Sequence, residues 1–160
     1  MSGFMLKLTI ATAAGFFLGK YFYSTYKNRR LYYAGLIDFI TALGNNLSFR
    51  QEKLTTIAAE SASKTNAVFK EQMTNFCSYI NGKEKFGITC KSVKNDAVAI
   101  ENFFKNIGTV DLLTQKEALT SYKNEFAEKL KKSESDEKSK GTAYLKLCTL
   151  AGLAIGILLL

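Results

Sequence analysis

Charge and hydrophobicity are segregated along the chain, and this segregation constrains the fold more than any other feature. All 14 acidic residues lie between Asp38 and Glu137, whereas both ends are apolar and carry only isolated lysines. The N-terminal end reads GFMLKLTIATAAGFFLG, and the C-terminal end reads AYLKLCTLAGLAIGILLL. As helices they would be roughly 25–27 Å long, close to the bilayer's hydrocarbon thickness of about 30 Å. The sequence therefore predicts transmembrane helices over residues 3–23 and 143–160.

Each end has a second interpretation. Ala11, Thr12 and Ala13 form a small-residue triplet like a signal-peptide cleavage site, but the triplet lies inside the apolar run rather than after it. Apolar runs of this length are also found in buried core helices. A C-terminal ILLL would then have to be enclosed by the rest of the chain. Membrane helices are therefore the preferred interpretation.

Basic residues flank both predicted spans on the side of the middle segment: Lys20, Lys27, Arg29, Arg30, Lys138, Lys140 and Lys146. Because positive charge favours the cytosolic face, the middle segment is predicted to be cytosolic, with both termini on the opposite face. Lys27, Arg29 and Arg30 also lie among tyrosines, which favour the headgroup zone. These three residues are predicted to contact lipid headgroups.

Small residues recur at four-residue spacing within both predicted spans. Gly15 and Gly19 form one GxxxG pattern, and Gly152 and Gly156 form another. Such spacing lets helix backbones approach closely in lipid, although glycine is also simply common in membrane helices. The four glycines are therefore candidate contacts between membrane helices.

The middle segment is predicted to be a bundle of α-helices over residues 24–130. The chain contains no proline, which is the commonest helix breaker. Its apolar residues recur in steps of three and four, with no sustained alternation. They form four stripes: Leu36, Ile40, Leu43 and Leu47; Leu54, Ile57, Ala58, Ala62, Phe69, Met73, Phe76 and Ile80; Val93, Ala97, Ile100, Phe104 and Ile107; and Leu119, Tyr122, Phe126 and Leu130. The fold class is therefore all-α, a cytosolic helical bundle tethered by a transmembrane helix at each end.

Turn and capping residues predict where these helices end. We expect a turn or kink from Asn45 to Gln51, a left-handed C-terminal residue at Gly82, and N-caps at Ser92 and Asp111. Thr114 with Glu117 forms an alternative capping box to Asp111. The polar residues 131–142 form either a solvated helical stalk or a disordered linker, and both interpretations remain open.

The residue set offers little for catalysis. The absence of histidine removes the usual general base and the usual zinc ligand. Cys77, Cys90 and Cys148 form no CxxC motif and are interpreted as ordinary thiols in a reducing compartment. Phosphate-binding loops, dinucleotide fingerprints and nucleic-acid-binding motifs are not found. The sequence therefore predicts no catalytic, cofactor or metal residues, no small-molecule substrate and no nucleic-acid partner.

The overall layout resembles the stage III sporulation protein AB family. The MLKL opening, the basic exit from the first span and the LAGLAIGILLL tail carry this resemblance, which covers nearly the whole chain from Met5. Residues 107–115, IGTVDLLTQ, look like the family's LG…D…Q helix-turn-helix corner. LSFRQEKL, ending at Leu54, is similar to a second family segment. The chain departs from that segment's acidic residue and TPL around Asn45, Asn46 and Lys53.

The resemblance implies a function that composition does not show. The family belongs to the channel complex joining mother cell and forespore in endospore-forming bacteria. Its helical domain is similar to the cytoplasmic domains of the type II secretion inner-membrane platform protein F. A secretion-type ATPase and other membrane proteins of the complex are the expected partners. The protein would be a non-enzymatic scaffold in the mother-cell-derived membrane around the forespore.

The resemblance also suggests where partners bind. The candidate partner-binding residues are Leu47, Phe49, Arg50, Thr109, Asp111, Leu112 and Gln115. A structural role is the competing interpretation, because Phe49, Leu112 and Leu113 are also suited simply to closing the bundle. The alternative function is a holin-like membrane-permeabilising protein, for which Thr9, Thr12 and Thr149 are the polar residues within the spans.

Overall fold

The computed structural model of the protein describes residues 2–49, 53–107 and 112–158, and in these ranges it contains helices and turns but no strand. This agrees with the predicted all-α class. The α-helices are α1 (Ser2–Phe49), α2 (Leu54–Lys64), α3 (Ala67–Ile80), α4 (Ala97–Asn106), α5 (Leu112–Asp136) and α6 (Thr142–Leu158). A 3-10 helix (Lys91–Asp96) precedes α4, and a π-helical turn (Glu137–Gly141) joins α5 to α6.

The chain divides into two compact units. The first, which we call the terminal unit, comprises Met1–Lys27 and Lys132–Leu160, the two ends of the sequence. The second, which we call the central unit, comprises Asn28–Lys131.

The core of the central unit is rich in aromatic side chains. Phe39, Phe76 and Phe104 are almost completely buried, and the ring centroids of Phe76 and Phe104 are 4.7 Å apart. Phe86 adds a fourth ring, 5.0 Å from Phe104. Many residues of the predicted stripes are buried in this core: Leu36, Ile40, Leu43, Ile57, Ala58, Phe69, Met73, Val93, Ile100, Leu119 and Phe126. Tyr32, Tyr33, Cys90 and Phe103 are also buried in it, although the stripes did not include them. Burial of these apolar faces is the main force that holds the helices together.

The second predicted stripe is divided between two helices. α2 ends at Lys64, and Asn66 caps α3 by accepting a hydrogen bond from the Phe69 backbone N–H at 3.1 Å. The stripe from Leu54 to Ile80 therefore belongs to two helices, not to one continuous helix. Asn66 also donates to the Leu31 carbonyl oxygen at 2.8 Å, which fixes the break against α1.

Other helix ends differ in part from the predictions. Gly82 has φ +69°, so the left-handed residue after α3 is confirmed. Ser92 lies inside the 3-10 helix, which begins at Lys91, so it is not the predicted cap. Asn45 and Asn46 lie within α1 rather than in a turn. The last two residues of the predicted turn, Arg50 and Gln51, lie outside the described residues. Asp111 lies outside the described residues.

Residues 131–142 are helical, which decides against the disordered linker. They are not uniformly solvated, because Ser133 and Glu137 are buried. The continuous helical stretch Gln115–Leu158 is long and apolar enough to cross a membrane, and among the described residues it is the one helix that meets this criterion.

Candidate membrane and partner-binding surfaces

The two ends of the chain pack against each other through glycine. In the terminal unit, a Cβ atom built on Gly15 would lie 2.4 Å from the Cys148 carbonyl oxygen and 2.9 Å from the Gly152 Cα. A Cβ on Gly152 would lie 2.6 Å from the Ala11 carbonyl oxygen. These distances are too short for any side chain, so α1 and α6 touch backbone to backbone at this point. Glycine at four-residue spacing permits such an approach.

The other two glycines of the predicted contacts lie in the same interface. A Cβ on Gly19 would lie 2.9 Å from the Leu145 Cα. A Cβ on Gly156 would meet the Leu8 Cδ1 at 2.8 Å, which is the far end of a flexible side chain. The interface is therefore rigid at Gly15, Gly19 and Gly152 and more adaptable at Gly156.

The outer surface of this helix pair is apolar. Its exposed large apolar side chains have between 42% and 85% of their surface accessible, and they include Met5, Leu6, Ile10, Phe16, Phe17, Leu18, Leu147, Leu150, Leu153, Ile155, Ile157 and Leu158. A soluble monomer rarely exposes so large a contiguous apolar surface. The surface suits a lipid environment.

Aromatic residues and one carboxylate cluster at one end of the helix pair, where α6 begins. Tyr23 donates a hydrogen bond of 2.9 Å to the Glu137 carboxylate in the π-helical turn. Tyr144 stacks on Phe22 and Tyr26, with ring centroids 5.6 Å and 6.1 Å apart. Tyrosine favours the boundary between hydrocarbon and water, so these rings indicate where a span would meet the headgroups.

The threonines in these helices bond within their own helix. The Thr12 hydroxyl donates to the Leu8 carbonyl oxygen at 2.9 Å, and the Thr149 hydroxyl donates to the Leu145 carbonyl oxygen at 2.8 Å. Thr9 bonds one turn back in the same way. Because these hydroxyls are already satisfied, they supply no argument for a water-lined pore.

An ion cluster in the central unit joins three helical elements. The Asp96 carboxylate accepts hydrogen bonds from Arg29 of α1 at 3.2 Å, from Lys129 of α5 and from the Tyr33 hydroxyl. Burial acts to raise the pKa of Asp96, but the hydrogen bonds from Lys129 and Tyr33 and the nearby positive charges outweigh it. The pKa of Asp96 therefore lies below its usual value. Burial and the Asp96 charge raise the pKa of Tyr33, which stays protonated.

This cluster bears on the predicted lipid contacts. Arg29 directs its guanidinium at Asp96 and is only partly exposed, whereas Lys27 is exposed. Sequence reasoning assigned Arg29 to lipid because it follows the first predicted span among tyrosines. It missed the contact with Asp96, which lies 67 residues away in the chain. Headgroup contact by Lys27, Arg29 and Arg30 stays a prediction.

A buried amide network holds the connection between α3 and the 3-10 helix. Gln72 is fully buried and donates to the Gly87 carbonyl oxygen at 3.0 Å. Its side-chain oxygen accepts bonds from the Thr89 N–H at 3.0 Å and from the Tyr32 hydroxyl at 3.2 Å. Sequence reasoning missed this network, because a glutamine that follows Lys70 and Glu71 resembles a solvated helix position.

The predicted partner-binding residues are only partly described. Arg50, Thr109 and Asp111 lie outside the described residues, and of Leu47, Phe49 and Leu112 only the helical backbone is described. Gln115 is half-buried and lines a cavity of about 160 Å³ with Phe103, Asn106, Ile107, Ala118, Leu119 and Tyr122. The structure therefore places one predicted residue at a small apolar slot between α4 and α5.

The cysteine and acidic side chains bear on metal and redox chemistry. Within residues 2–49, 53–107 and 112–158, no group of three or more His, Cys, Asp or Glu side chains is placed to hold a metal ion. Cys77, Cys90 and Cys148 are free thiols. Burial raises the pKa of the Cys77 thiol, which lowers its reactivity.

The amino-acid sequence matches the family model described as stage III sporulation protein AB over residues 5–160. No curated protein and no solved structure matches the chain. Because the match spans nearly its whole length, the chain belongs to the stage III sporulation protein AB family, and this membership implies a role in sporulation.

Proposed function

We propose that this member of the family is a non-enzymatic scaffold that couples a cytosolic secretion-type ATPase to membrane components of the channel complex between mother cell and forespore. One observation carries the proposal: the chain combines a glycine-packed helix pair with an apolar outer surface and a separate aromatic-cored bundle. The first suits lipid, and the second offers helical faces for proteins. That combination is what a membrane scaffold needs.

Both ends of the chain span the membrane on this proposal. The C-terminal helix is long and apolar enough by itself. The N-terminal part of α1 is supported by its exposed apolar side chains and by its backbone contact with α6. Antiparallel helices that pack along their length enter the bilayer together. The basic residues beside both spans favour a cytosolic central unit, with both termini on the opposite face.

The surface proposed for the ATPase is the corner between α4 and α5. Its described part is the apolar slot lined by Ile107 and Gln115, the first and last residues of the motif. A slot of about 160 Å³ accepts one branched or aromatic side chain, which is how many interfaces anchor a partner.

Co-purification from sporulating cells in mild detergent tests the proposal. The secretion-type ATPase and further channel components should be recovered with the intact chain and identified by mass spectrometry. Gln115→Arg should reduce recovery of the ATPase, because the long charged side chain would occupy the apolar slot. Lys116 is an exposed neighbour, and Lys116→Ala should leave the recovery unchanged. Recovery of neither ATPase nor channel component with the unaltered chain would refute the scaffold function.

A further inference from the structure

A groove of about 700 Å³ lies between α1 and α2 in the central unit. One wall is formed by α1 from Gly35 to Asn46, and the other by α2 from Ile57 to Thr65. At 1.5 Å per residue, the α1 wall is about 16 Å long, or about three helical turns. The groove therefore has the length of a short helical segment.

The groove combines an apolar floor with uncharged polar side chains. Phe39 and Ile57 line it and are almost fully buried from solvent. The polar residues that line it are Asn45, Asn46, Ser61 and Thr65. The groove therefore offers both apolar and hydrogen-bonding surface to a partner.

The charged side chains that line the groove have a net negative charge, although the chain as a whole is basic. Asp38 on α1 is exposed and forms no ion pair with the described residues. Glu60 on α2 is paired with Lys64, which offsets one of the two negative charges. The lining therefore keeps a net negative charge in a chain whose formal charge is +8.

We propose that this groove binds a cationic amphipathic helical segment of a partner protein. Apolar side chains of the segment would cover Phe39 and Ile57, and a Lys or Arg would pair with Asp38. A helix laid into an apolar groove with complementary rim charges is a recurrent mode of recognition. The inference rests on the proposed scaffold function, because it specifies the chemistry of one partner.

Site-specific photo-crosslinking in sporulating cells tests the groove in the full chain. A photoreactive amino acid replaces Ala42 in the groove or, as a control, Val98, which is exposed on α4. We expect the Ala42 probe to capture one segment whose apolar residues are flanked by Lys or Arg. Asp38→Lys should lower the yield by about three- to tenfold, as expected for losing one partly desolvated ion pair. Glu71→Lys, an exposed carboxylate on α3, should leave the yield unchanged.

Charge reversal on the captured segment completes the test. In cells that carry Asp38→Lys, replacing the basic residue of the captured segment by Glu should restore the crosslinking yield. Capture of lipid, of a second copy of this chain or of a segment without basic residues would overturn the inference. A crosslinking yield at Ala42 no higher than that at Val98 would also overturn it. Co-purification of the ATPase with no capture in the groove would overturn this inference alone. Failure of the co-purification would instead overturn the scaffold function.

Discussion

Gly35 and Gly44 lie on the same helix in different surroundings. A Cβ at Gly35 would lie 2.5 Å from the Phe69 Cβ, whereas a Cβ at Gly44 would meet nothing within 4 Å. Gly35→Ala should therefore destabilise the protein by about 1–2 kcal/mol, because overpacking outweighs the helix propensity gained. Gly44→Ala should be neutral or stabilising by up to about 1 kcal/mol. Thermal unfolding of the full chain in detergent compares the two, and a lower melting temperature for Gly44→Ala than for Gly35→Ala would contradict the packing.

Asp96 gives a second prediction at the scale of one residue. Asp96→Asn removes the shared partner of Arg29 and Lys129. Since Asp96 is mostly buried and both bases are about one quarter exposed, the loss should be about 1–3 kcal/mol at neutral pH. Chemical denaturation of both proteins in detergent measures it.

The pH dependence of that loss identifies its cause. The folded-state pKa of Asp96 is below its unfolded value of about 3.9, so its stabilising contribution is fully present above that value. The contribution is lost as the pH falls through the folded pKa. The difference between the two proteins should therefore be constant from about pH 6 to 8 and shrink below about pH 4. A difference that stays constant into acid would assign the loss to packing instead.

At the scale of helices, apolar periodicity predicted the core but not the helix ends. Leu36, Phe76 and Ile100 are buried as the stripes require. The break at Asn66 was missed because Ala62 and Phe69 are seven residues apart, close to two turns, so the stripe keeps its phase across the break. The π-helical turn was missed because an extra residue in a helix leaves no mark in composition.

The candidate surfaces were predictable to different degrees. The small-residue spacing in the spans singled out four glycines, and all four lie where α1 and α6 touch. Asp96 and the α1–α2 groove were not predicted, since both depend on contacts between residues far apart in sequence. The corner at residues 107–115 was selected by family resemblance, and most of its side chains lie outside the described residues.

The glycine contact predicts graded effects along the α1–α6 interface. Gly15→Val and Gly152→Val place a side chain against backbone and should each destabilise the helix pair by about 1–3 kcal/mol. Gly156→Ala should cost less, because the shortest contact is with the flexible end of the Leu8 side chain and the Leu8 Cα and Ala11 Cβ are both 3.3 Å away. The rate at which protease cleaves α1 and α6 in detergent ranks the three variants by how much each destabilises the helix pair. Equal effects at Gly15 and Gly156 would contradict backbone contact at Gly15.

At the scale of the whole molecule, the number of spans determines where the N-terminus lies. A two-span chain resists extraction by carbonate and keeps both terminal tags away from the cytosol. A chain with only the C-terminal span also resists carbonate, because that helix is sufficient. Its N-terminal tag would remain cytosolic. Extraction alone therefore does not separate the two topologies, and the N-terminal tag does.

Labelling in inside-out membrane vesicles measures this difference. With Cys77, Cys90 and Cys148 replaced by Ser, single cysteines are placed at Ser2, at the exposed Glu84 and after the C-terminus. An impermeant maleimide should label Glu84→Cys at once, and the two terminal cysteines only after detergent is added. The exposed Phe16, Phe17 and Leu18 lead us to expect this pattern, because a cytosolic N-terminus would leave these side chains in water. Labelling of Ser2→Cys in intact vesicles would mean that α1 does not cross the bilayer.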